Sequence, residues 1–182
     1  MRAKISPRFQ WNHLSQKAPP VTLASLSEME LQYRVERLLA NYVQCIDADQ
    51  LESWPEFFTD DCIYRVIAKE NTARNLPIAA IFCDSKRMLV DRVVSARHAN
   101  IYEKHAYRHI VSSTVIDVPI KEAVVATSNY AVYRTRTNGV TELYNTGSYR
   151  DEIVIHDGAW RFREKLVVFD TLRVDSLLVT PL

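Results

Sequence analysis

The sequence predicts an α+β domain in which a strongly curved, mostly antiparallel sheet wraps around N-terminal helices. Apolar residues recur at helical spacing only in the first half of the chain. Long runs with strand composition, separated by turn signals, fill the second half. Helices followed by consecutive antiparallel strands are typical of α+β domains, and long strands of this kind twist and curl.

The first helix is predicted in "SLSEMELQYRVERLLANYVQCID". Ser27 and Glu30 have the spacing of a capping box, which marks the helix start. One apolar face is traced by Leu31, Val35, Leu38, Leu39, Tyr42, Val43 and Ile46. We expect Asp47 and Asp49 to end this helix, and Asp49 to cap a short second helix that Pro55 breaks or restarts.

The remaining elements are predicted in order along the chain. "DCIYRVIA" and "PIAAIFC" have the composition of two strands, and "DSKRMLVDRVVSARHA" is a second long helix with Asp84 as its N-cap. Only strands follow, over residues 106–118, 122–137, 140–155 and 159–170. Asn138-Gly139 predicts a two-residue hairpin with both residues at positive φ, and His156-Asp157-Gly158 predicts another turn.

Length and composition predict one domain, residues 27–182, preceded by an arm over residues 1–26. The chain has 182 residues, of which 47% are hydrophobic and 25% charged, as in ordinary globular proteins. The arm holds three of the seven prolines and shows no periodicity. It lacks the apolar run of a secretory signal, so we expect a cytoplasmic protein.

Charge, glycine content and cysteine spacing exclude several function classes. The 23 lysine and arginine residues against 22 acidic residues argue against electrostatic binding of nucleic acid. No apolar stretch is long enough to cross a bilayer, and with three glycines the chain has no phosphate-binding loop. The cysteines at 45, 62 and 83 are predicted to be reduced and buried, with a thiol nucleophile as the weaker alternative.

A curved sheet closed on one side by helices forms a cone whose mouth can hold a ligand. This architecture is shared by nuclear transport factor 2-like (NTF2-like) proteins, which include dehydratases, isomerases, binding modules and inert subunits. Fold alone therefore leaves function open.

The stretch "NIYEKHAYRHIVSS", residues 100–113, could form a metal site. His105 and His109 lie four residues apart, and Glu103 or Asp117 could supply a third ligand. The motif HExxH is absent, and the neighbouring Lys104 and Arg108 would repel a cation.

The same stretch could instead carry acid–base chemistry. Asp47 or Asp49 on the first helix could pair with His105 or His109 on a strand, because a carboxylate fixes the histidine tautomer and raises its basicity. Tyr64 could donate a proton to an oxyanion. This hypothesis describes a stand-alone NTF2-like dehydratase or isomerase that works without a metal. In its structural alternative, His109 is a hydrogen-bonded core residue and the two aspartates only end a helix.

A third hypothesis is a contact with another protein chain. Arginine and tyrosine are enriched in protein interfaces. The candidate contact residues are Arg97, Tyr102, His105, Tyr107 and Arg108. Phe9 and Trp11 in the arm and the apolar "LLVTPL" at residues 177–182 add surface that a monomer rarely exposes.

Several motifs resemble the small (β) subunit of aromatic-ring-hydroxylating dioxygenases, the Rieske non-haem iron oxygenases. They are "DADQLESWPEFFTDDCIYRV", "DSKRMLVDRVVSARHANIYEKHAYRHIVSS", "NTGSYRDEIV" and "WRFREKLVVFDTLRVDSLLVTPL", in the family's order from about residue 31 to residue 182. The resemblance is nearest to small subunits of oxygenases that act on aromatic acids such as terephthalate, salicylate or anthranilate.

This resemblance implies a non-catalytic subunit of an oxidoreductase. The family's large (α) subunit holds the Rieske [2Fe–2S] cluster and the mononuclear Fe(II), and three copies of each subunit form an α3β3 heterohexamer. An NADH-dependent reductase, with a ferredoxin in some systems, supplies electrons. The sequence agrees on one point, because it contains no Cys-x-His pair, which a Rieske centre requires. No catalytic, cofactor-binding or metal-binding residue is therefore expected in this chain.

Overall fold

The computed structural model describes residues 22–98, 105–117, 122–171, 178 and 180–182, and these form helices packed on one mixed six-stranded sheet. The strand order is β2-β1-β6-β5-β4-β3, in which β1 and β6 are parallel and all other neighbours are antiparallel. The helices are α1 (Glu28–Asp47), α2 (Lys69–Ala73) and α3 (Lys86–His98), with 3₁₀ segments at Leu23–Ser25 and Leu51–Phe57. The strands are β1 (Phe58–Ala68), β2 (Ile81–Cys83), β3 (His105–Ile116), β4 (Ala123–Arg136), β5 (Thr141–His156) and β6 (Ala159–Phe169). The α+β prediction is confirmed.

Helix α1 forms as the sequence predicts. The Glu30 backbone N–H donates to the Ser27 hydroxyl (3.3 Å), and the Ser27 backbone N–H donates to the Glu30 carboxylate (3.1 Å), so the capping box is complete. All seven predicted apolar positions are buried. They face β3 and β6, and we call the side of the sheet that α1 covers the inner face.

The short second helix differs from its prediction. It is a 3₁₀ segment, Leu51–Phe57, which runs through Pro55 because the fixed φ of proline also fits 3₁₀ geometry. Asp49 does not cap it. Asp49 has a left-handed φ of 56°, the flanking residue is Gln50, and the Asp49 carboxylate binds Arg97 instead.

Two further boundaries are corrected, and one helix was not predicted. The strand predicted at 77–83 covers only Ile81–Cys83, since Pro77 cannot donate a ladder hydrogen bond. The short helix α2 has no counterpart in the prediction. Helix α3 begins at Lys86, so the residue that flanks it is Ser85 and not Asp84.

The two predicted hairpin turns differ in type. At Asn138-Gly139 only Gly139 is left-handed (φ 83°), and its N–H donates to the Arg136 carbonyl (2.9 Å). This is a three-residue loop rather than the predicted two-residue turn. Asp157 (φ 51°) and Gly158 (φ 74°) are both left-handed, and they join the paired residues His156 and Ala159.

Gly147 allows the central strands β5 and β6 to approach each other closely. It lies opposite Phe169 in β6 and Tyr130 in β4. A Cβ atom at this position would collide with the Val168 carbonyl oxygen and lie 2.9 Å from Phe169 Cα. Both obstacles are backbone atoms, which cannot move aside as a flexible side chain can.

We expect Gly147→Ala to lower the free energy of unfolding by about 2–4 kcal/mol, because the strands must separate to admit the methyl group. Urea denaturation measures the change. Gly158→Asn is the matched control, since nothing lies within 4 Å of its Cβ position and asparagine tolerates a left-handed φ. Equal effects of the two substitutions would contradict this explanation.

Four tyrosines in the core predict a steep loss of stability at alkaline pH. Burial raises the pKa of Tyr64 to about 12 and also raises the pKa values of Tyr42, Tyr130 and Tyr149. The folded chain therefore holds these phenolic protons at pH values where the unfolded chain has released them. Their contribution to stability is complete below about pH 10 and is lost as pH rises through the folded-state pKa values.

The free energy of unfolding should fall steeply between about pH 10 and about pH 12. We expect tyrosinate absorbance to rise in the same transition in which the circular dichroism of the fold is lost. Full ionisation of the tyrosines while the chain stays folded would show that these hydroxyls are open to solvent.

Candidate active site and subunit contacts

The stretch that the sequence singled out lies mainly on β3, the edge strand beside β4. Its side chains alternate between the two faces of the sheet. Tyr107 and His109 are buried on the inner face, whereas Arg108 is exposed on the outer face. Tyr102 and Glu103 lie outside the described residues.

Asp47 and His109 form a buried pair that joins α1 to β3. His109 Nδ1 lies 2.6 Å from Asp47 Oδ1, and the His109 backbone N–H donates to Asp47 Oδ2 at 2.9 Å. The His109 side chain is 0% exposed and the Asp47 side chain 6%. Asp47 therefore holds the histidine ring and also satisfies a backbone N–H of the edge strand.

The structure thus selects one pair among the four that the acid–base hypothesis allowed. The Asp49 carboxylate binds Arg97, and the His105 ring packs against Tyr107 with 4.5 Å between ring centroids. The Tyr64 hydroxyl, the proposed proton donor, is hydrogen-bonded to Leu182. His109 Nε2 is buried and has no hydrogen-bond partner among the residues that the structure describes.

A buried ion pair joins β5 to β6, and sequence reasoning missed it. Lys165 Nζ lies 3.1 Å from both Asp151 carboxylate oxygens, and both side chains are 0% exposed. The ammonium lies over the rings of Tyr149 (3.7 Å), Tyr42 (4.5 Å) and Phe162 (4.7 Å). Burial raises the pKa of Asp151 to about 6 and lowers that of Lys165. Strand alternation could have revealed this pair, because it places both charged residues on the inner face of the sheet.

The thiols of the chain are buried and protonated. Burial raises the pKa of Cys62 to about 11, and it also raises the pKa values of Cys45 and Cys83. In the part of the chain that the structure describes, no three His, Cys, Asp or Glu side chains are grouped so that they could hold a metal ion. Over the same residues, no helix is long and apolar enough to span a membrane.

The predicted contact residues fall into different environments. Arg97 binds within the chain, with its guanidinium 2.8 Å from Asp49 and 2.8 Å from Glu52. Tyr107 is buried and stacks on Tyr144, with 5.2 Å between ring centroids. Arg108 is 75% exposed, and its guanidinium lies 4.0 Å from the Asp47 carboxylate.

Comparison with known proteins gives the family. A family model described as a SnoaL-like domain matches residues 27–165. The anthranilate 1,2-dioxygenase small subunit of Burkholderia cepacia is 43% identical over 155 residues, which cover 85% of this chain and 96% of that protein. Subunit beta 1 of the terephthalate 1,2-dioxygenase terminal oxygenase component of Comamonas sp is 38% identical over 143 residues, covering 79% of this chain and 93% of that one.

This chain belongs to the small subunits of the ring-hydroxylating dioxygenases. A solved structure agrees. The beta subunit assigned to an aromatic-ring-hydroxylating dioxygenase of Novosphingobium aromaticivorans superposes with a TM-score of 0.76 and 40% identity, covering 84% of this chain and 96% of that one. The resemblance that the sequence motifs indicated is confirmed.

Family membership favours a structural role for the Asp47–His109 pair over the dehydratase alternative. The geometry is compatible with that role, because the pair is closed to solvent and cross-links a helix to an edge strand. A catalytic pair would have to touch a substrate.

We expect Asp47→Ala to lower the free energy of unfolding of the small subunit by about 2–4 kcal/mol, because it leaves a buried backbone N–H and a buried imidazole without their acceptor. A double-mutant cycle with His109→Ala should give a coupling energy of about 1–3 kcal/mol by urea denaturation. Asp60→Ala removes an exposed carboxylate and should change stability by less than about 0.5 kcal/mol. Strictly additive effects of Asp47→Ala and His109→Ala would contradict the structural role.

Proposed function

We propose that this small subunit takes no catalytic part itself and organises an α3β3 heterohexamer with a large oxygenase subunit. The observation that carries the proposal is the 43% identity to an anthranilate dioxygenase small subunit across 96% of that protein. The large subunit then holds the Rieske [2Fe–2S] cluster and the mononuclear Fe(II). The chain's lack of a Cys-x-His pair is compatible with this division.

The substrate of the assembled oxygenase is an aromatic ring that carries a carboxylate. Support comes from the relatives at 43% and 38% identity, which are named for anthranilate and terephthalate. Electrons come from NADH through a reductase, with a ferredoxin in some systems, and O₂ is the oxidant. The assembly works in the cytoplasm.

The small subunit contributes by fixing distances between its partners. Electron transfer between metal centres in neighbouring large subunits depends on their separation, so a rigid spacer is required. An obligate contact of this kind typically buries more than ~2,000 Å². The domain at residues 27–182 supplies the spacer.

The outer face of β3, β4 and β5 is the surface that best suits such a contact. Arg108, Tyr133 and Leu143 lie opposite one another on the three strands, and therefore point to the same face. Tyr133 is 38% exposed and Leu143 56%, and Ile110, two residues along β3, is 52% exposed. An arginine beside exposed apolar side chains has the composition of an interface centre.

Co-expression with candidate large subunits tests this function. We expect the small subunit to co-purify with a large subunit of an oxygenase that acts on aromatic acids. The molar mass from light scattering should match three copies of each chain. The complex should also contain iron and show a Rieske absorption spectrum. A small subunit that purifies alone with every such partner, or that dehydrates or isomerises a substrate by itself, would contradict the proposal.

Arg108→Ala tests the outer face. We expect it to weaken assembly at least ~10-fold while leaving the stability of the free small subunit within about 0.5 kcal/mol. Arg74→Ala is the matched control, because Arg74 is 67% exposed at the C-cap of α2, a helix that packs on β1 and β6. Arg97→Ala should instead destabilise the free chain, since Arg97 binds Asp49 and Glu52. Unchanged assembly after Arg108→Ala would show that the outer face takes no part in the contact with the large subunit.

A further inference from the structure

The last residues of the sequence lie inside the fold. Leu182 is 0% exposed, Thr180 is 8% exposed and Pro181 is buried. Leu182 belongs to the same apolar cluster as the buried side chains of α1 and β1. Four residues before Leu182, the Leu178 carbonyl accepts a hydrogen bond from the Arg92 guanidinium of α3 at 2.5 Å.

Leu182 is held by polar contacts as well as by packing. The Tyr42 hydroxyl on α1 donates to the Leu182 carbonyl at 2.8 Å, and the Tyr64 hydroxyl on β1 donates to it at 3.3 Å. The Leu182 N–H in turn donates to the Tyr64 hydroxyl at 3.1 Å. Both hydroxyls are buried, and burial raises their pKa values, so they remain protonated donors at neutral pH.

The walls around Leu182 resemble those of a small-molecule pocket. We call the space around the two hydroxyls the interior site; Tyr42 and Tyr64 contact Leu182, and Trp54 and Lys165 pack on these two tyrosines. The Trp54 ring packs edge-on to Tyr64 with 5.2 Å between ring centroids, and Lys165 Nζ lies 4.5 Å from the Tyr42 ring centroid. Aromatic walls with a few convergent polar groups are typical of ligand pockets.

We propose that Thr180–Leu182 acts as an internal ligand that fills a small-molecule binding site, and that the site selects a carbonyl group with an adjacent N–H on a compact branched apolar body. The carbonyl accepts from both tyrosine hydroxyls, and the N–H donates to Tyr64, as the Leu182 backbone does. The native chain therefore occupies this site with its own residues. The inference concerns only the interior of this chain, so it holds whichever large subunit is the partner.

Deletion of residues 180–182 tests the proposal with N-acetyl-leucinamide as the probe, since it carries the same carbonyl, N–H and isobutyl groups. At ten times its Kd the probe should raise the thermal unfolding midpoint of the shortened chain by about 3–6 °C. The full chain, whose site is filled, should show no shift. The capped peptide N-acetyl-Thr-Pro-leucinamide should act on the shortened chain in the same way.

Two controls distinguish selective binding of the probe from nonspecific occupation of a cavity. Adding Tyr64→Phe to the shortened chain should weaken the probe about 3–10-fold, because one hydrogen-bonding group is lost. 4-Methylpentylamine keeps the branched body and replaces the carbonyl by an ammonium, so the hydroxyls of Tyr42 and Tyr64 lose their acceptor and the amine should not bind.

Each remaining outcome overturns the proposal. A shortened chain that stays folded and binds neither the probe nor the peptide has no interior site. A shortened chain that unfolds and is not refolded by either of them shows that the segment is only part of the core. Equal shifts with the probe and with 4-methylpentylamine show an unselective cavity.

Discussion

The structure depends on one contact, the packing of α1 against the inner face of the sheet. The helix buries a full apolar stripe there, and the Tyr42 ring meets the rings of Phe57, Phe58 and Phe162 at centroid distances of 5.4–6.2 Å. Burial of apolar surface is the dominant favourable contribution to the free energy of folding of a single domain. The same helix also positions the polar groups of the interior, because Asp47 and Tyr42 both project from it.

Three sets of buried polar groups in the interior are paired with one another. Asp47 binds His109, Asp151 binds Lys165, and Tyr42 and Tyr64 bind Leu182. A buried charge or hydroxyl is costly unless it has a partner, so each pair fixes one arrangement of the elements that it joins. In an NTF2-like enzyme such groups would have to meet a substrate. Here they link α1 to β3, β5 to β6, and the last residues to α1 and β1, which suits a subunit whose role is to hold a shape.

Two arginines near each other in sequence illustrate how the fold divides its charges. Arg97 lies in the last turn of α3 and binds Asp49 and Glu52, so it links α3 to the segment that follows α1. Arg108 on β3 points to the outer face, beside Tyr133 and Leu143. The first is held within the chain, whereas the second is 75% exposed and lies 4.0 Å from the Asp47 carboxylate, so its guanidinium stays accessible at the surface.

The sequence by itself determined α1, α3, the four long strands and the family. Helical and strand periodicity report which side of an element is buried, and capping and turn residues report where it begins and ends. Only the tertiary structure decided that Asp47, rather than Asp49, meets His109, that β1 pairs in parallel with β6, and that Lys165 and Asp151 meet in the core. These partners are separated by 62, about 100 and 14 residues, and alternation places a side chain on a face without specifying what lies opposite it. Register, sheet order and the packing of α1 supply that information, and they exist only once the chain has folded.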